Sequence, residues 1–156
     1  MKIQDIQKLY AMLPQAGAIQ KIQEDVSVKT VFLQGLVASA APVFFASVAE
    51  RWKATTVFVL NDSDEAGYFY NDLRTVAMPE DGEDRVADVL FYPSAYRRAV
   101  KYGQRDAGNE ILRTEVLTRL SALASEKERP LPLFIVTEPS ALAELVVSKR
   151  QLNERR

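Results

Sequence analysis

Cysteine and histidine are both absent from this sequence, and the two gaps remove most of the common catalytic toolkits. Without cysteine there is no disulfide, no thiol nucleophile and no thiolate zinc site. Without histidine, Ser-His and Cys-His nucleophile pairs cannot be assembled and imidazole metal sites are lost. A dominant charge is missing too. The 20 basic residues face 21 acidic ones, so no overall field draws the chain to nucleic acid or to an anionic membrane. Any such partner has to meet a local patch. No run of about 18 apolar residues occurs, and the opening MKIQDIQKLY lacks the build of a signal peptide. The expected location is therefore cytoplasmic, with no membrane partner. What stays open is the chemistry of carboxylates, lysine, tyrosine, or a bound nucleotide and its metal.

What is present reads as one globular domain. A chain of 156 residues holds one real core and is short for two. Its 47% apolar and 26% charged content separates it from disordered chains. Ile3, Ile6, Leu9 and Leu13 recur at helical spacing and Pro14 closes that pattern; Ala18, Ile19 and Ile22 mark a second short helix. The period then changes to two over Val26, Val28, Thr30 and Phe32, and this strand ends on Gly35. Ser39 is placed to cap a helix from Ala40 to about Trp52, where Pro42 is tolerable in the first turn. Thr55–Leu60 reads as an apolar strand. Asp62 with Glu65 forms a capping-box-like start for a helix to about Val76. Val86–Tyr92 is the third strand, Asp106–Ala124 the next helix, Leu131–Thr137 the fourth strand, and Pro139 opens a last helix.

Strands bounded by helices on both sides predict an α/β fold: a mostly parallel sheet of at least four strands, with helices on both faces. Right-handed crossovers bring the loops after the strands to one edge. Those loops are 35–39, 61–63, 93–105 and Glu138. The expected organisation is amino-terminal helices over 1–25, the α/β domain over 26–147, and a charged tail over 148–156. Met78–Asp84 and Ser125–Pro132 are surface connectors.

The loop after the first strand is where a phosphate-binding fold places G-x-x-x-x-G-K-[ST]. Its glycines turn backbone N–H groups to the phosphates, its lysine neutralises them, and its hydroxyl ligates magnesium. Gly35 occupies the first glycine position. After Ser39, however, Ala40 stands for the second glycine, Ala41 for the lysine and Pro42 for the hydroxyl residue. A lysine–phosphate contact near 4 Å amounts to about 4 kcal/mol at an effective dielectric of 20. Losing even half of it lowers affinity more than tenfold. The loop is degenerate, and the expected cofactor of this segment is none.

Five stretches then carry a resemblance: FLQGLVASAAPVFFASVAE, TTVFVLNDSDEAGYFYNDLR, VLFYPSAYRR, NEILRTEVLTRLSAL and LFIVTEPSALAELV. Read in order over roughly 19–147, they resemble the amino-terminal module of the bacterial transcription-repair coupling factors, a module similar to the first domain of the excision-repair protein UvrB. The resemblance implies a P-loop NTPase-like fold (RecA and UvrB domain 1) with a degenerate phosphate loop, which Ala40, Ala41 and Pro42 match. It implies that ATP and magnesium serve a DNA-translocating motor far downstream in the parent, and that the parent's partners are RNA polymerase and UvrA. It implies a scaffold role for this segment, with the UvrA-contacting surface mainly in a small domain that follows. After the third strand the sequence has Tyr92-Pro93-Ser94-Ala95-Tyr96-Arg97-Arg98, where many relatives carry an aromatic-acidic stretch.

Two readings from other classes stay beside it. One is an independent small nucleotide-binding domain or enzyme using carboxylates or Lys29 and Lys53. The other is a nucleic-acid-binding module acting through 96–105, where Tyr96, Arg97, Arg98, Lys101 and Arg105 interleave bases with aromatics. That loop is equally a solvated or internally neutralised one. Asp62 and Glu65 read as helix capping. Glu138, at a strand end where a Walker B acid stands, has no lysine or hydroxyl to complete it and reads as a helix entry. Glu110 with Arg113, and Glu115 with Arg119, read as surface ion pairs. Ile111, Leu112, Val116, Leu117, Leu120 and Leu123 read as core. Phe44 and Phe45, on adjacent faces of one helix, leave room for a contact with a further domain.

Overall fold

Three parallel strands make the sheet of the computed structural model, which describes residues 3–25, 27, 29–51, 54–79, 85–96, 105–123 and 131–146. In chain order the elements are α1 (Ile3–Ala11), α2 (Pro14–Glu24), α3 (Ala40–Val48), a 3-10 turn (Ala49–Arg51), β1 (Thr56–Val59), α4 (Ser63–Ala77), β2 (Asp88–Tyr92), α5 (Ala107–Leu123), β3 (Leu133–Thr137) and α6 (Pro139–Ala143). The spatial order is β1-β3-β2, with Phe58 opposite Val136 and Leu90 opposite Ile135.

The chain therefore crosses β3 on its way from β1 to β2, then steps back to fill the centre. A reversal of direction at constant right-handedness requires the second helix to use the other face. The packing obeys this. Phe134 and Val136 of β3 join Phe58, Val89 and the α4 residues Ala66, Leu73, Val76 and Ala77, together with Ala46 of α3. Leu133 and Ile135 join Tyr92, Val116 and Leu123 of α5, and Ala141 of α6. The central strand is buried at all five positions, which is why LFIVT is apolar up to its final threonine instead of alternating.

An aromatic chain runs through the first layer. The ring of Phe45 lies 4.9 Å from Phe58, which in turn lies 5.1 Å from Phe69 and 5.4 Å from Phe134. Offset and edge-on pairs of this kind contribute about 0.5–1.5 kcal/mol beyond burial. Phe44 points the other way, into a cluster with Ala16, Ile19 and Val48 that seats α2 on α3. Phe44 is fully buried there, while Phe45 is half-buried and touches both clusters.

Several sequence expectations need correction. The sheet has three strands, not four or more, among the described residues. Val26 and Val28 lie outside the described residues, and 29–37 joins no sheet. Leu33 and Leu36 explain it: they pack on the cluster of Phe44 and Val48, which draws the segment to the helices and leaves Phe32 86% exposed. Pro14 does not close α1, which ends at Ala11, but opens α2 at its first turn, where its missing N–H is harmless. The third helix stops at Val48 and tightens into the 3-10 turn; Trp52 and Lys53 lie outside the described residues. On α5, Ile111 is 69% exposed and Leu120 is also exposed, while Val116 and Leu123 are buried. The acidic connector 80–84, the tail 148–156 and Ala124 lie outside the described residues.

The fourth helix starts as its sequence predicts. The Asp62 carboxylate accepts from the N–H groups of Asp64 (3.0 Å) and Glu65 (2.9 Å). The Glu65 side chain reaches one residue further back than a capping box, to the N–H (3.2 Å) and side-chain amide (2.7 Å) of Asn61. Asp62→Ala is expected to cost about 1 kcal/mol of stability, read as a lower urea midpoint with unchanged slope.

Candidate functional site

In parallel α/β sheets, ligands sit in the crevice outside the carboxyl ends of the strands. Here that edge is formed by Asn61 and Asp62 after β1, Pro93–Tyr96 and Arg105–Asp106 after β2, and Glu138 after β3. Every strand connection ends in an acid that caps the next helix. Asp62 caps α4 as described. Asp106 accepts from the N–H groups of Gly108 (2.9 Å) and Asn109 (3.2 Å) at the start of α5. Glu138, 1% exposed, accepts from Ser140 N–H (2.7 Å) and Ala141 N–H (3.1 Å) at α6. Glu138 is thus a helix entry, as read from the sequence, and not a free acid. Thr137 donates its hydroxyl to the carbonyl of Tyr92 at 2.7 Å and ties two strand ends together.

The segment at the phosphate-loop position is built differently from a phosphate cradle. Gly35 has φ +87° and Ala38 has φ +49°, a left-handed backbone that costs alanine of order 1 kcal/mol. No sheet strand precedes them among the described residues. Ser39 does not cap α3. Its hydroxyl donates to the Asp72 carboxylate of α4 at 2.6 Å, while Ala40 N–H donates to Val37 carbonyl at 3.0 Å. Ala41 is half-buried and Pro42 is buried in the first turn of α3. The amino end of α3 thus has a carboxylate beside it. A helix amino end attracts anions through its unpaired N–H groups and dipole. At all four helices α3–α6, an acid of the chain already stands there.

Beyond the capping acids lies a buried ion pair that the sequence reading placed on the surface. Arg113 of α5 is 6% exposed. It donates to the carbonyls of Pro93 (2.8 Å) and Ala141 (3.1 Å) and lies 3.2 Å from the Glu144 carboxylate. Its guanidinium also sits 4.1 Å from the centre of the Tyr92 ring. Glu144 in turn accepts from Ala95 N–H at 2.9 Å and from the Ser94 hydroxyl. Asn109 donates to the Ser94 carbonyl at 2.8 Å. Burial raises the Tyr92 pKa, with Glu144 adding to this and Arg113 opposing it, so its hydroxyl stays protonated at neutral pH. No buried side-chain nitrogen or oxygen among the described residues lacks a partner. The network clamps the loop after β2 to α5 and α6.

Beside this clamp opens a cavity of about 560 Å³, lined by Tyr96, Arg105, Glu110, Arg113, Glu144 and Leu145 among others. The structure brings Tyr96 and Arg105 together as an antiparallel bridge at the base of the basic loop, with the guanidinium 5.9 Å from the ring centre. The Tyr96 hydroxyl, and then Glu110, hold Arg105 more firmly charged. Glu110 pairs with Arg105 at 2.9 Å, not with Arg113, and Arg119 reaches Asp88 at 3.4 Å, not Glu115. Arg97, Arg98 and Lys101 lie outside the described residues. One signal for Arg113 was present in the sequence: it falls in helical register with Val116 and Leu123 on the buried face. No local signal exists for Asp72 or Glu144, because their partners stand 33 and about 50 residues away.

Among the described residues no three His, Cys, Asp or Glu side chains converge to hold a metal ion. None of the described helices is long and apolar enough to cross a membrane. The chain is an α/β protein with helices over a small three-stranded parallel sheet. No family model, curated protein or solved structure matches it.

Proposed function

We propose that this chain is a non-catalytic scaffold module: the UvrB-like amino-terminal segment of a transcription-repair coupling factor, with a P-loop NTPase-like ancestry and a lapsed nucleotide site. In this reading ATP and magnesium belong to the parent's downstream motor, and RNA polymerase and UvrA are partners of the parent. The segment itself packs on neighbouring domains, holds no cofactor and makes no DNA contact. The order of the five resembling stretches supports the family. One observation supports the absence of nucleotide chemistry above the others. Where a triphosphate needs a cation, the turn holds Ala41, and the Asp72 carboxylate stands 2.6 Å from the hydroxyl of Ser39 at the same helix end. A phosphate there meets repulsion in place of neutralisation.

Titration of ATP with magnesium into the chain, followed by calorimetry, is expected to give only heats of dilution up to millimolar nucleotide. A saturable isotherm at micromolar nucleotide would return the site to an enzyme or nucleotide-binding domain. The family assignment has its own test. Reading the gene downstream of Arg156 is expected to reveal a helicase-type motor in the same frame, and a frame closing there removes the coupling function while leaving the fold intact.

A further inference from the structure

The last helix is fastened at few points. A helix as short as Pro139–Ala143 has no stability of its own, so it depends on what holds it to the sheet. At its front the Glu138 carboxylate caps it. Of residues 139–146, only Ala141 and Glu144 are withdrawn from solvent. Ala141 enters the core beside Tyr92 and Val116. Glu144 stands just past the helix on extended backbone, with its side chain 14% exposed.

The loop after β2 leaves the sheet close by. Tyr92 opposite Thr137 is the last matched pair of β2 and β3. Beyond it, no backbone–backbone hydrogen bond joins 93–96 to 138–146 among the described residues. Two charged side chains make the connection instead. Arg113 donates to the Pro93 carbonyl on one side and to the Ala141 carbonyl on the other. Glu144 crosses back to the loop. Its two oxygens accept from Ala95 N–H at 2.9 and 3.2 Å, and it also accepts from the Ser94 hydroxyl and faces Arg113. Asn109 holds the Ser94 carbonyl from the α5 side. Ala95 is buried, so little water is at hand to replace the carboxylate. A buried donor stripped of its acceptor costs more than an ordinary hydrogen bond is worth. Arg113 loses its counter-charge in the same step.

We propose that Glu144 is a latch through which residues 93–96 and 139–146 open and close as one local unit. Lifting 139–146 from the sheet takes the carboxylate from Ala95 and Ser94, and freeing 93–96 takes two donors from Glu144. The coupling is therefore reciprocal. A partner that draws α6 off the sheet loosens the Tyr96–Arg105 bridge, one residue beyond Ala95. A ligand that stiffens this bridge holds α6 in place. The latch does not rest on the coupling-factor reading.

Native-state hydrogen exchange of the full chain, followed by NMR at a series of low urea concentrations, reads the opening of each amide. Ala95, Ala141 and Leu142 are expected to share one opening equilibrium, more populated than that of Val136 in the central strand. Asn109→Ala removes a bond on the loop side only. It should nevertheless speed exchange at Ala141 and Leu142 as much as at Ala95, by about fivefold. Asp62→Ala, outside the unit, should leave these three amides unmoved. In a Glu144→Ala background, Asn109→Ala should act on Ala95 alone. Separate opening equilibria for Ala95 and Leu142 in the natural chain overturn the latch, and so does an Asn109→Ala effect confined to Ala95. If the three amides open only together with Val136, no local unit exists and the proposal falls. If Leu142 still answers Asn109→Ala once Glu144 is alanine, the connection runs through Arg113 and the assignment to Glu144 is wrong.

Discussion

Replacing Arg113 by alanine is expected to lower the unfolding free energy by about 3–5 kcal/mol, because it removes one half of a buried ion pair. The guanidinium serves four groups at once: the Pro93 and Ala141 carbonyls, the Glu144 carboxylate and the face of the Tyr92 ring. Without it, two carbonyls lose a donor and a largely buried carboxylate loses its counter-charge. Arg113→Lys keeps the charge but cannot reach all partners from one point, so an intermediate loss is expected. Arg113→Met with Glu144→Gln should lose less than the two single losses combined, since no unpaired charge then remains. Urea unfolding by circular dichroism measures each of these variants and the two singles, Arg113→Met and Glu144→Gln. A loss below about 1 kcal/mol for Arg113→Ala places the pair among ordinary surface contacts, and the clamp on the loop after β2 falls with it.

An equally large loss is expected at the centre of the sheet. Phe134→Ala should cost about 3–5 kcal/mol, the range for emptying a large aromatic site in a packed core. Phe134 is 1% exposed, sits on the strand covered on both faces, and meets Phe58 edge-on at 5.4 Å. Its removal opens a void among Phe58, Val89 and the alanines of α4, and small side chains do not move in to fill it. Phe134→Leu keeps most of the volume and should cost less than about 1.5 kcal/mol. Native domains of this size are stable by about 5–15 kcal/mol in all. The alanine variant therefore sits near the limit of folding, and its urea midpoint should fall steeply. An unchanged midpoint contradicts the packing of α4 on this face.

Both variants also separate two kinds of legibility. Phe134 could be read from its neighbours: LFIVT has no polar position until its end, and only a strand buried on both faces has that composition. The capping acids Asp62 and Glu138 were legible for a similar reason, since cap chemistry acts over two or three residues. Arg113 was misread because its spacing from Glu110 satisfies the helix-surface rule equally well. The choice between partners at i−3 and one 31 positions later depends on which face α5 buries. The amino-terminal strand failed for a related reason. Thr30 and Phe32 alternate as a strand requires, but alternation does not say whether a sheet edge or a helix pair receives Leu33.

Composition and local order were thus enough to assign an α/β fold with parallel strands, to rule out thiol and imidazole chemistry, and to find alanine and proline at the positions where a phosphate loop has its lysine and metal-binding hydroxyl. These follow from residue identities and from periods of two and 3.6, which any stretch carries within itself. The number of strands joined among the described residues, the acid standing beside Ser39 and the burial of Arg113 came from the packed molecule alone. Each is a relation between segments tens of residues apart, and such relations come into being when helices choose faces of a sheet.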